Sequence, residues 1–314
     1  MKNAIFNVIK PGLLSTIQDV GRLSYQEYGI SQAGAMDQYS LQVGNILVGN
    51  DRNAAALEIT MSGPKLEVLS NAIIAITGAD LSPTLNGEKV QTWRSFEVEK
   101  GQILEFGKPL SGIRAYICVN GGIDVPEILN SRSTYLKANL GGMGGRELCS
   151  GDIIQVYPSN KVVVSGRMPH YELIPTYEHS IVLHVIEGPH VDYFTEEGIK
   201  TFFQSEYTVT QKADRMGYRL KGDIITHVDQ ADILSDAIPF GAIQVPANGQ
   251  PILLMADRQT TGGYSRIGTV ISVDIPIAAQ LQAGDVVRFK RISIDKAQRL
   301  YIQREKLLRQ LEKG

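Results

Sequence analysis

The chain has 314 residues, 43% hydrophobic and 20% charged, enough to bury a sizeable core and to point to a soluble globular protein of two domains. Its 31 Lys and Arg against 33 Asp and Glu leave a formal charge of -2, dispersed except in the last twenty residues, so nothing in the charge attracts nucleic acid or an anionic membrane. No apolar run approaches the length that crosses a bilayer, and the apolar part of residues 1–10 is too short for a signal peptide, so the expected location is cytoplasmic.

In chain order, Gly21, Gly29 and Gly34 alternate with charged and aromatic residues and read as shaped loop. Residues 37–48 then read as a helix. Tyr39, Val43, Ile46 and Leu47 recur at helical spacing, Asp37 stands where an N-cap accepts first-turn N–H groups, and Gly49-Asn50 ends the run. Most of the remainder reads as strands: 73–77, 114–119, 161–164, 181–186 and 251–255 are short, rich in β-branched residues and bounded by Gly, Pro, Asn or Ser. Turn pairs such as Asn86-Gly87 and Lys100-Gly101 favour antiparallel hairpins. A second helix is expected over 191–203, with Phe194, Ile199, Phe202 and Phe203 on its apolar face. After Ser293, Ala297, Leu300, Tyr301, Leu307, Leu308 and Leu311 recur among charges as a terminal packing or docking helix.

The pattern is mainly β and barrel-like, with few helices. Gln18-x-x-x-Arg22-x-x-Tyr25 is echoed by Gln211-x-x-x-Arg215-x-x-Tyr218, and two further short echoes in the same order point to two related halves. Pro158, Pro169 and Pro175 mark the connection, giving expected domains 1–160 and 161–292 and a C-terminal helix 293–314.

Several chemistries lack their motif: there is no phosphate loop, dinucleotide fingerprint, zinc-type His-Glu-x-x-His or Gly-x-Ser-x-Gly elbow. The five histidines have no ligand spacing, so no metal is expected. Cys118 and Cys149 lie in apolar stretches and read as reduced, buried thiols. Arginine presents a rigid fork that suits a carboxylate or phosphate, so Arg22 and Arg215, with Tyr25 and Tyr218 beside them, are candidates to hold an anionic small-molecule substrate; the competing reading pairs them with Asp19 or Asp214. Asp37 is a cap or a catalytic carboxylate, and Glu58, inside an apolar run, is either paired or functional. The strongest local candidate is Asp257-Arg258-Gln259-Thr260-Thr261-Gly262-Gly263-Tyr264, which follows a strand and gathers an acid, a base, an amide, hydroxyls and glycines into one loop. Residues 139–145 form a second glycine-rich loop, read equally as an anion nest or a plain turn.

Thr16-Ile17-Gln18-Asp19-x-Gly21-Arg22, Gly34-Ala35-Met36-Asp37, Gly49-Asn50-Asp51 and Leu57-Glu58-Ile59-Thr60-x-x-Gly63-Pro64 together resemble the opening of the biotin-dependent carboxyltransferase family. Ala213-Asp214-Arg215-Met216-Gly217-Tyr218-Arg219-Leu220 and the stretch from Ala256 to Tyr264 resemble its later blocks, so the resemblance covers nearly the whole chain. The family includes allophanate hydrolase subunit 2 and the C subunits of 5-oxoprolinases, or KipI-antagonist proteins. The resemblance implies two tandem cyclophilin-like β-barrel domains, and a component of an ATP-dependent 5-oxoprolinase that opens 5-oxoproline to L-glutamate. Because this chain has no nucleotide motif, the resemblance implies that ATP and further catalytic groups come through the complex, from a KipI-like B subunit and a lactam-hydrolase-like A subunit, and that the chain alone is inactive. Two other functions stay open. One is carboxyl transfer or allophanate metabolism with a biotinylated partner, since this chain has no Ala-Met-Lys-Met segment to carry biotin itself. The other is a regulator that binds a KipI-like kinase inhibitor.

Overall fold

The computed structural model describes residues 3–159, 161 and 163–313. Contacts divide the chain into two units, one made of Met1–Leu23, Ala33–Tyr177 and Leu308–Gly314 and the other of Ser24–Gln32 and Glu178–Leu307.

The first unit holds β1 (Asn3–Lys10), β2 (Leu14–Gln18), β3 (Ala56–Thr60), β4 (Lys65–Val68), β5 (Ala72–Asp80), β6 (Thr84–Leu85), β7 (Glu88–Lys89), β8 (Arg94–Val98), β9 (Ile103–Glu105), β10 (Ser111–Val119) and β11 (Ile153–Val156), with helix α1 (Gln38–Leu47) between β2 and β3. These make one sheet in the order β11-β1-β4-β9-β6-β7 and another in the order β2-β3-β10-β5-β8. Between them lies a core that includes Ile5, Val8, Leu66 and Val68 from the first sheet and Ile17, Leu57, Ile59, Ile76 and Ile117 from the second. Alternate residues of a strand face opposite sides, so Ala115, Ile117 and Val119 enter this core while Tyr116 and Cys118 join Leu41, Val43, Ile46 and Leu47 of α1 on the other face. Burial on both faces is why residues 115–119 of β10 read as an unbroken apolar run. The helix lies close because Gly44 has no side chain: a Cβ there would come within 2.7 Å of Cys118 Sγ and Thr77 Oγ1. Asn86 and Gly87, at φ 53° and 85°, make the expected tight turn between β6 and β7.

The second unit holds β12 (Ser180–Glu187), β13 (Glu206–Val209), β14 (Gly217–Lys221), β15 (Asp232–Ala237), β16 (Ala242–Gln244), β17 (Ile252–Leu254), β18 (Thr261–Tyr264), β19 (Arg266–Val270) and β20 (Val286–Arg291), with helices α2 (Glu196–Gln204), α3 (Ile275–Ala278) and α4 (Ile294–Lys313). Seven strands close into a barrel in the order β12-β19-β16-β17-β14-β13-β20, the last pairing parallel with β12; β15 and β18 form a separate ribbon. Phe202 of α2 stacks on Phe289 of β20 with centroids 4.5 Å apart. Residues of α4 from Leu308 onward count with the first unit. Among the described residues no helix is long and apolar enough to cross a membrane.

Four local expectations change. The helix expected over 191–203 is broken: Val191–Tyr193 is a single 3-10 turn, and α2 begins only after Thr195, whose extended backbone at ψ 157° lets its side chain accept from Gly198 N at 2.9 Å. Of the strand expected over 161–164, Val162 lies outside the described residues and Lys161, Val163 and Val164 are not in a strand. Cys118 is buried, but Cys149 is exposed in a turn where its N–H donates to Asp152 Oδ2 at 2.7 Å. Tyr218 lies in barrel strand β14, whereas Tyr25 precedes a 3-10 turn outside any strand, so the spacing echo is not a structural repeat at these residues.

Candidate functional site

In the second unit β14 and β17 are neighbours, with Gly217 opposite Leu254 and Tyr218 opposite Leu253. The chain just before β14 and just after β17 therefore runs side by side, joined by Met255 N to Met216 O at 2.9 Å and Asp257 N to Arg215 O at 2.8 Å. This brings two separated sequence blocks into one cluster. Arg215 donates from Nε to Asp257 Oδ2 at 3.0 Å and from Nη2 to Oδ1 at 2.9 Å, a fork on a carboxylate with both side chains 6% exposed. Asp214, the neighbour expected as partner, instead accepts Met216 N at 2.8 Å and Gly217 N at 3.1 Å and shapes the turn.

The turn after β17 closes through Arg258 N to Met255 O and carries the Arg258 side chain inward to 3% exposure. Its Nε donates to Ile238 O at 3.0 Å, Nη1 to Met255 O at 3.4 Å and Nη2 to Gln32 Oε1 at 3.3 Å, and its guanidinium lies 5.3 Å from the centre of the Phe240 ring. Burial pulls its pKa down to about 10, partly offset by the Asp257 charge. Gln32 comes from Ser24–Gln32, which counts with this unit, and the adjacent Ser31 Oγ reaches Ala256 O at 3.5 Å. Gln259 is exposed and Thr260 half-buried; Thr261, Gly262, Gly263 and Tyr264, expected as loop, are strand β18. Tyr218 is 1% exposed with its hydroxyl on Ala279 O, a core residue, while Tyr25 is half-buried with its ring 6.5 Å from that of Tyr28.

Two histidines of this unit give a check on the packing. Half-buried His227 places Nε2 3.1 Å from both Val245 O and Ser265 Oγ, and burial lowers its pKa below 6.5; burial, then the Arg266 charge, lowers that of His190. A depressed folded-state pKa means the unfolded chain takes up the proton first. The stability these rings contribute is thus complete above pH 6.5 and is lost as pH falls through the lowered values. An NMR titration is expected to give both midpoints below 6.5; a midpoint at or above it for either ring contradicts the burial described.

In the first unit Glu58 of β3 stands opposite Tyr116 of β10. Glu58 Oε2 accepts from Tyr116 Oη at 2.7 Å and Met36 N at 2.9 Å, and Tyr116 Oη accepts from Asp37 N at 2.8 Å. Asp37 caps α1, accepting Ser40 N at 2.9 Å and Ser40 Oγ at 2.6 Å. Glu58 therefore holds the Met36-Asp37 strap and the start of the helix against the sheet, with both carboxylates buried. Burial and the two carboxylate charges push the Tyr116 hydroxyl well above its usual pKa, so it acts as a fixed donor.

Arg22, fully buried, donates from Nη2 to the Ser133 carbonyl, beneath the 139–145 loop. Asp19 accepts Gly21 N at 2.8 Å, Ser131 Oγ at 2.7 Å, Arg132 N at 2.6 Å and the Ser133 hydroxyl, so it organises the loop on which Arg22 rests. Among the described residues no group of three or more His, Cys, Asp or Glu is placed to hold a metal. Tyr116, Gln32, Phe240 and Ser133 escape sequence reading, since each acquires its role only from a partner distant in sequence.

A mainly β chain with a closed seven-stranded barrel and these blocks in order has the make-up of a carboxyltransferase-type domain. Residues 28–291 match the family described as carboxyltransferase domain, subdomain A and B, and the chain belongs to it. It is 36% identical over 299 residues to the C subunit of 5-oxoprolinase from Haemophilus influenzae, covering 95% of each chain. It is 35% identical over 307 residues to the C subunit of the Escherichia coli 5-oxoprolinase, covering 98% of this chain and 97% of that one. Among solved structures it is similar to the K. lactis urea amidolyase, with TM-score 0.93 and 32% identity over 100% of this chain but only 20% of that one. The Kluyveromyces lactis urea carboxylase gives the same TM-score of 0.93 and 32% identity, with 30% of its chain covered.

Proposed function

We propose that this chain works as the C-type subunit of a 5-oxoprolinase, in an assembly that couples ATP hydrolysis to opening of 5-oxoproline to L-glutamate. The observation that carries the reading is likeness along 95% and 97% of the length of two proteins named as C subunits of 5-oxoprolinase. A lactam amide is resonance-stabilised and its small ring holds little strain, so ring opening needs coupling. Transfer of a phosphoryl group from ATP to the amide oxygen releases ADP and makes the ring carbon electrophilic; one water adds and the C–N bond breaks to free the amine and leave an acyl phosphate, which a second water hydrolyses to the carboxylate and phosphate. The chain has no nucleotide-loop motif, so ATP is handled through a KipI-like B subunit and a lactam-hydrolase-like A subunit, while this chain contributes the cluster of Arg215, Asp257 and Arg258. Purified alone, the chain is expected to release no glutamate from 5-oxoproline and to hydrolyse no ATP; mixed with both partners it is expected to do both. Turnover by the isolated chain overturns the subunit reading, and an inactive complete mixture overturns the substrate.

The K. lactis urea amidolyase likeness at TM-score 0.93 favours a second reading, carboxyl transfer between a biotinylated partner and an amide substrate, with no biotin attached to this chain. Avidin separates the two. It is expected to leave ATP-dependent glutamate release unchanged under the first reading and to abolish activity under the second.

A further inference from the structure

Among the described residues, Arg258 is the buried cation of the second unit's cluster that has no hydrogen bond to an anion, the Asp257 charge acting on it without one. Arg215 and Asp257 neutralise each other through two hydrogen bonds, whereas the hydrogen-bond partners of Arg258 are neutral oxygens: two backbone carbonyls and the Gln32 amide. A guanidinium has five N–H donors, and three are engaged here, which leaves one on each Nη. Placing a full charge at 3% exposure with only neutral acceptors is costly, and a fold that needed Arg258 for packing alone would gain by pairing it. The lowered pKa agrees with a desolvated charge. The Phe240 ring 5.3 Å away adds an apolar, π-rich wall to the same site.

We infer that Arg258 is the carboxylate anchor of this chain: it binds the carboxylate of a small amide-bearing acid through its two remaining Nη donors, with Gln32 and the Ile238 carbonyl holding the fork and Phe240 flanking the apolar part of the ligand. This deepens the 5-oxoprolinase reading and rests on it for the choice of ligand. Arg215 is excluded as the anchor because Asp257 already occupies its fork.

The test compares 5-oxoproline with 2-pyrrolidinone, the same lactam without the carboxylate, by calorimetry on the isolated chain and on the assembled complex. Wild type is expected to bind 5-oxoproline and to bind 2-pyrrolidinone far more weakly. R258Q is expected to lose affinity for 5-oxoproline about 10- to 100-fold, the size of a lost charge-assisted contact, with no change for 2-pyrrolidinone. R258K, which keeps the charge but not the fork, is expected to fall between them. Thermal melting of both variants controls for folding, and R258K remains informative should R258Q unfold. Equal affinity of wild type for the two lactams, no binding of 5-oxoproline to either preparation, or unaltered affinity in R258Q overturns the inference. Arg258-dependent binding of 5-oxoproline without ring opening would remove the proposed reaction and leave the anchor standing, while normal ring opening by R258Q would do the reverse.

Discussion

Replacing Asp257 with Asn is expected to destabilise the second unit by about 3–5 kcal/mol, the usual consequence of removing one partner from a buried ion pair. For a domain of this size that corresponds to a fall in melting temperature on the order of 10 °C. The carboxylate accepts two N–H groups of Arg215 at 3.0 and 2.9 Å where both side chains are 6% exposed. An Asn offers one acceptor and turns an NH2 group towards the other donor, so a buried charge is left facing a like dipole. The Asp257 carboxylate also supplies the field that partly offsets the desolvation of Arg258, so its loss weakens a second buried cation. The double replacement Arg215→Met with Asp257→Leu is expected to recover part of the loss by removing both charges of the pair, but not all of it, because Arg258 still lacks its neighbour. Differential scanning calorimetry of the three proteins checks this. A single D257N variant that melts within about 2 °C of wild type would show that the pair is not structural.

How far the sequence can be read depends on the range over which each feature is decided. Strands such as 73–77 and 114–119 and the helix capped by Asp37 depend on periodicity and caps within a few residues, and the fold forms them as expected. The break between Val191–Tyr193 and α2 is also local, but Thr195 and three phenylalanines fit both one long helix and a capped shorter one; the cap decides. Arg215 shows the other limit. Its adjacent acid, Asp214, is taken by two backbone N–H groups, and its true partner lies 42 residues away, reached only because β14 pairs with β17. The same reason hides Gln32, brought to Arg258 across 226 residues of sequence. Glu58 is legible as a buried acid needing a partner, yet Tyr116, 58 residues on in an apolar run, gives no sign of being that partner. Thr261, Gly262, Gly263 and Tyr264 read as loop because two adjacent glycines have low strand propensity, and pairing with β15 overrides it.

Gly141→Ala is expected to be among the most damaging single-methyl changes in the first unit, about 4–8 kcal/mol, and Gly144→Ala three residues away supplies the control. Both glycines have left-handed backbones, φ 73° and 69°, so each substitution carries a conformational cost of about 1–2 kcal/mol. They differ in surroundings: a Cβ on Gly144 meets nothing within 4 Å, whereas a Cβ on Gly141 overlaps the Ser133 carbonyl oxygen and Nη2 of Arg22, the two atoms that hydrogen-bond to each other. The backbone cannot yield easily, because Ser133 is fixed through Asp19 to Ser131 and Arg132. Alanine at 141 must therefore push Arg22 away from its carbonyl, adding an overpacking cost of about 1–3 kcal/mol and the loss of a charge-assisted hydrogen bond of about 1.5–3 kcal/mol. Urea unfolding of both variants separates the terms, since the backbone cost is common to them. Equal destabilisation of G141A and G144A would mean that Arg22 is not held against the loop, and that its charge is available for a role other than fixing residues 131–133.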